Sequence, residues 1–148
     1  MPLPALDPDG LLPAGVHEAS LEEIGKRFGR FVETERRVQL QDALVRFTAE
    51  ARATGLIAAL IVNGSFMTGK AQPEDIDIIV VLRQGVDFTM EFKPHEYNVL
   101  SARRVKRRYP FDVRYATPEA GTLDPMIAFF AEVRGRPGLR KGMVKVTL

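Results

Sequence analysis

The stretch NGSFMTGKAQPEDIDIIVVL, residues 63–82, decides the fold. Its second half, IDIIVVL, is built like a buried strand, yet Asp75 and Asp77 stand two residues apart at its head. On a strand over residues 75–82 the two carboxylates share one face, while Ile76, Ile78 and Val80 point to the other, into a core. Adjacent carboxylates repel, and burying them unpaired is costly. A divalent cation relieves both problems. Mg²⁺ prefers carboxylate oxygens and keeps waters and substrate phosphates as its other ligands, so this pattern suits a phosphate-handling Mg²⁺ (or Mn²⁺) site. The alternative reading is a strand start bearing two solvated acids.

Upstream, Ile57 to Val62 (IAALIV) is a short apolar run after Gly55, and reads as a buried strand. Asn63-Gly64-Ser65 breaks it, and a helical turn is expected to begin there. A glycine lets the backbone approach a phosphate, and the serine hydroxyl with nearby N–H groups suits an anion. Neither a Walker A loop nor a dinucleotide fingerprint is present. Lys70, in the loop between the two motifs, is either a phosphate contact or a surface lysine. Downstream, Phe111 to Ala116 (FDVRYA) alternates and reads as a third strand. Asp112 lies between Phe111 and Val113, so its carboxylate faces the other way from theirs. Beside strand 75–82 it would complete a three-acid, two-metal arrangement. Arg114 shares its face and would pair with an acid or with a substrate phosphate.

The remaining chain supplies the frame. Residues 1–19 hold four prolines and no periodicity, and read as an extended arm preceding a single domain over residues 20–148. Ser20 and Glu23 fit a capping box opening a short helix to about Phe28. A stronger helix is expected from about Thr34 to Thr54, with Leu40, Leu44, Phe47 and Ala51 on one face. Pro94 opens a further helix to about Arg108. A helix from about Leu123 to Val133 follows, in which Met126, Phe129 and Phe130 read as core. Gly135, Pro137 and Gly138 read as a turn, and Met143 to Leu148 as a closing strand. The sum is an α+β (α/β-like) domain, a small mixed β-sheet flanked by helices.

Composition excludes several classes of function. The 148 residues are 45% hydrophobic and 27% charged, without an apolar run long enough for a membrane helix. Absence of cysteine removes disulfides, thiolate metal sites and cysteine nucleophiles. The N-terminus has no basic region before an apolar stretch, so no secretory signal and a cytoplasmic location are expected. His17 and His95 read as capping or surface residues. Net charge is only +2, yet Arg103, Arg104, Lys106, Arg107 and Arg108 form a basic stripe. It is either a solvated helix face or a surface that attracts phosphates.

Gly64-Ser65, nine residues, then Asp75-Ile76-Asp77-Ile78 resembles the signature of the DNA polymerase β-type nucleotidyltransferase superfamily: hG[GS], a spacer, then Dh[DE]h. The match covers residues 57–82, and 111–116 by inference. The segments LLPAGVHEASLEEIGKRFG and GRPGLRKGMVKVTL also resemble a family of small bacterial nucleotidyltransferase-like proteins, some of them similar to toxin–antitoxin or phage-defence components. The resemblance implies a nucleotidyltransferase fold. It implies that Asp75, Asp77 and Asp112 hold Mg²⁺, and that Asp112 also helps deprotonate an acceptor hydroxyl. Gly64 and Ser65 would hold the β- and γ-phosphates of an NTP. The reaction would place NMP on a protein or RNA hydroxyl, the acceptor being in some cases a cognate toxin or antitoxin. The alternative is a catalytically weak module that binds a protein or RNA partner.

Overall fold

A computed structural model describes residues 3–29, 35–118 and 121–148. A five-stranded mixed sheet carries the chain. Strands β1 (Gly15–Glu18), β2 (Ile57–Asn63), β3 (Ile76–Leu82), β4 (Phe111–Ala116) and β7 (Gly142–Thr147) lie in the order β1-β7-β2-β3-β4. A two-stranded hairpin of β5 (Glu132–Val133) and β6 (Arg136–Arg140) stands apart from it. The helices are α1 (Leu21–Ile24), α2 (Glu35–Thr54), α3 (Tyr97–Leu100), α4 (Ala102–Arg108) and α5 (Leu123–Ala131). This is the expected mixed sheet with flanking helices.

The central pair β2–β3 is antiparallel and almost wholly buried, which is why both strands read as continuous apolar runs. On one face Leu60, Val62, Ile76, Ile78 and Val80 pack against Leu40, Leu44 and Phe47 of α2 and Val105 of α4. On the other, Ala59, Ile61, Ile79, Val81, Ala116 and Met143 form a smaller core under Met126, Ile127 and Phe130 of α5. β4 runs parallel to β3, and parallel neighbours need a crossover; α3 and α4 supply it on the larger-core side. The expected single helix from Pro94 is broken. A 3₁₀ turn over Pro94–Glu96 leads into α3, and Ser101, extended, caps α4 by accepting from the Arg104 N–H.

The N-terminal segment is extended as expected, but it is built into the fold. Leu12 is fully buried, and β1 pairs in parallel with β7. Gly142 is required there: a Cβ would fall 2.2 Å from the Pro13 carbonyl oxygen. The Ser20–Glu23 capping box forms, and α1 continues into a π-helical turn over Gly25–Gly29. The expected helix start at Thr34 lies outside the described residues. Among the described residues no helix is long and apolar enough to cross a membrane.

Arg37 ties the helical layer to the loop after β2. It is fully buried, and its guanidinium donates to the carbonyls of Phe28 (2.9 Å), Phe66 (2.9 Å), Thr68 (2.7 Å) and Lys70 (3.1 Å). Burial pushes its pKa down to about 10, so it stays charged at neutral pH. Replacing Arg37 with Leu strands the buried carbonyls of Phe28 and Phe66 and the part-buried ones of Thr68 and Lys70, and denaturant unfolding should show a loss of about 3 kcal/mol or more. Arg37→Lys should recover little, because one ammonium cannot reproduce the planar fork.

Candidate active site

The site lies where β2 ends and β3 and β4 begin. Pairing places Asp77 opposite Asn63 on one side and opposite Asp112 on the other. Asp77 therefore continues the face of Ile79 and Val81, at the point where the smaller core stops. Asp75 sits just ahead of β3 and is exposed. These three carboxylates open into one cavity of about 980 Å³, which Gly64, Ser65 and Lys70 also line. The structure thus brings all six residues singled out by the sequence to a single concave surface.

Gly64 has a reason the sequence did not display. Its φ is +88°, and a Cβ would lie 2.6 Å from Asp77 Oδ2. The glycine makes room for the aspartate, independent of any ligand. The expected helical turn follows as a 3₁₀ turn over Ser65–Met67, whose Ser65 carbonyl accepts from the Thr68 N–H and hydroxyl.

The electrostatics are those of crowded acids. Burial, then the charges of Asp75 and Asp112, raise the Asp77 carboxyl to about 6, against the pull of Lys141 and Arg114. Asp112 is ion-paired with Arg114 at 2.6 Å, so the arginine has taken the acid of its two expected partners. The Arg114 guanidinium also lies 6.0 Å from the Phe130 ring centroid. Lys141 is half-buried; burial lowers its pKa while Asp77 raises it. Asn63 is fully buried, and among the described residues its Oδ1 has no hydrogen-bond partner.

Oxygen acceptors are thus in excess on this surface, which fits a hard divalent cation chemically. The cage is not closed: among the described residues no group of three His, Cys, Asp or Glu is gathered at ligand spacing. Engaging Asp112 requires parting it from Arg114.

Three contributors to the cavity escaped the sequence reading. Lys141 stands immediately before β7, in the Lys-Gly-Met-Val segment already singled out, and that position was its signal. The turn expected at Gly135, Pro137 and Gly138 is the β5–β6 hairpin, with Pro137 and Gly138 inside β6 and facing the cavity. Phe129, expected in the core, is 71% exposed at the same cavity. The basic stripe on α4 does not enter the site. Val105 points into the larger core, Arg108 pairs with Glu50 at 2.9 Å, and Arg103, Lys106 and Arg107 face solvent.

Residues 4–147 match a protein family described as a family of unknown function, DUF6932. The chain belongs to this family. No curated protein and no solved structure matches the chain.

Two consequences are measurable. An acid whose folded pKa lies above its unfolded value, here about 6 against 3.8, binds more protons folded than unfolded. Its contribution therefore favours the folded state below about pH 4, and that advantage is lost as pH rises through about 6. Asp77→Asn should raise the melting temperature at pH 7.5 by a few degrees, about 1 kcal/mol after allowing for solvent screening, and leave it nearly unchanged at pH 4. Gly64→Ala should cost about 2 kcal/mol or more in denaturant unfolding, from the positive φ and the displaced carboxylate together.

Proposed function

We propose that this chain is a metal-dependent nucleotidyltransferase with a nucleotidyltransferase fold, moving NMP from an NTP to a hydroxyl of a protein or RNA. The observation that carries the reading is the register that sets Asp77 beside Asp112, with Asp75 two residues ahead and Gly64 packed against Asp77. Three carboxylates border a cavity large enough for a nucleotide, and Asp112 would join the other two on a cation only after parting from Arg114.

Asp75, Asp77 and Asp112 would hold Mg²⁺ or Mn²⁺. The bound ion would neutralise phosphate charge and make the acceptor hydroxyl more acidic. Gly64, Ser65 and Lys70 would hold the β- and γ-phosphates, Lys70 from its exposed loop. Asp112 would accept the proton of the acceptor hydroxyl, whose oxygen attacks the α-phosphorus in line. The bond from that phosphorus to the bridging oxygen breaks, and pyrophosphate leaves with its electron pair. Arg114, freed from Asp112, is placed to meet a phosphate. Positioning and charge neutralisation would supply most of the barrier reduction. The acceptor would be a macromolecule, such as a cognate toxin or antitoxin or an RNA; an RNA would find Arg103, Lys106 and Arg107 exposed on α4.

The Asp112–Arg114 ion pair favours a second reading, a nucleotidyltransferase-fold module that binds a protein or RNA partner with little chemistry. Calorimetry separates the two. Titration with each NTP and Mg²⁺ should give metal-dependent binding that Asp75→Asn/Asp77→Asn abolishes. Absence of binding by all four NTPs supports the partner-binding module instead. With an acceptor present, Asp77→Asn should lower transfer of labelled nucleotide at least about a hundredfold without loss of folding; wild-type transfer by that variant would refute the mechanism.

A further inference from the structure

The cavity that holds the acids has a second, aromatic end. Among the described residues Phe129 is the most exposed of the large hydrophobics, at 71%, on a helix whose Leu123, Met126, Ile127 and Phe130 cover the smaller core. Burial does not explain it, because a helix laid on a sheet usually turns its largest apolar groups inward. Its ring is nonetheless held: it meets Phe130 edge-to-face, with centroids 5.1 Å apart and planes at 86°. Phe130 in turn packs on the smaller core and lies under the Arg114 guanidinium, which is bonded to Asp112. An unbroken run of contacts therefore leads from a carboxylate of the site to an exposed aromatic ring. Phe129, Phe130 and Arg114 also wall a second cavity of about 450 Å³, beside Pro125 and Met126, so the ring stands in open space between two concave surfaces.

We infer that Phe129 is the nucleobase platform of the site, the ring on which the base of an NTP stacks while its triphosphate reaches the carboxylates. This rests on the nucleotidyltransferase reading and assigns the nucleoside end of that same site. A ring fixed by an edge-to-face neighbour loses little freedom when a base stacks on it. Stacking of this kind is tolerant of base identity, because each base presents a π face. All four NTPs should bind, purines somewhat more tightly than pyrimidines by virtue of their larger rings.

The test compares NTPs with inorganic tripolyphosphate, which carries the phosphate chain and no base. With Mg²⁺ present, wild-type protein should bind ATP and GTP more tightly than tripolyphosphate. Phe129→Ala should weaken ATP binding about tenfold and leave tripolyphosphate binding unchanged; Phe129→Trp should restore ATP binding. The side chain is exposed enough that the Ala variant should fold, and its circular dichroism and melting curve verify that. Equal ATP affinity in wild type and Phe129→Ala overturns the platform while leaving the nucleotide site standing. A parallel loss of ATP and tripolyphosphate affinity also overturns it, since the ring would then act by shaping the cavity. If wild type binds neither ATP nor tripolyphosphate, the nucleotide reading and the platform fall together.

Discussion

One buried guanidinium governs the arrangement. The chain leaves β2 through Gly64 and turns back toward β3, and the carbonyls of Phe66, Thr68 and Lys70 face inward in that turn, that of Phe66 buried and the other two partly so. Buried acceptors need donors. Arg37, from the first turn of α2, supplies several from a single planar group and reaches the Phe28 carbonyl as well. Helix, α1 extension and loop are thereby locked to one another. Because the loop is held, Gly64 stays at the end of β2, and the space against it remains the place where Asp77 must sit.

That placement opposes stability. A strand face that is apolar at Ile79 and Val81 becomes acidic at Asp77, with a second carboxylate in register on β4 and a third just ahead. Partial burial, and then repulsion by the neighbouring acids, raise the Asp77 carboxyl, a departure from the ordinary value of the kind that gathers at functional sites. Lys141 and Arg114 offset the repulsion only in part. Neither lies on the same strand as Asp77, so the compensation depends on β4 and on the approach to β7 being packed beside β3.

The sheet was legible where strands are buried on both faces. IAALIV and IDIIVVL announce themselves by composition, and the acids by interrupting it, whereas FDVRYA, open on one face, was read from its alternation. β1 was not legible, since Gly15–Glu18 is four largely exposed residues that become a strand only by pairing with β7. The β5–β6 hairpin was read as a turn because Gly135, Pro137 and Gly138 signal turns locally. Phe129 was read as core because helical periodicity ranks faces and does not say where a neighbouring surface ends. Arg37 gave no signal at all, since a basic residue on a helix is ordinarily solvated.

The order of the main elements was written in the sequence, as was the candidacy of Asp75, Asp77, Gly64, Ser65, Lys70 and Asp112; the strand expected from Asp75 begins one residue later, at Ile76. These follow from period-two alternation and local backbone preference, which act over a few residues. Only the tertiary structure decided that β4 lies beside β3 in the register that sets Asp112 next to Asp77. It alone decided that Gly64 exists to admit a carboxylate, and that Lys141 and Phe129 border the same cavity. These are contacts between segments far apart in the chain. They are settled by which surfaces can be buried together, and no local pattern carries that information.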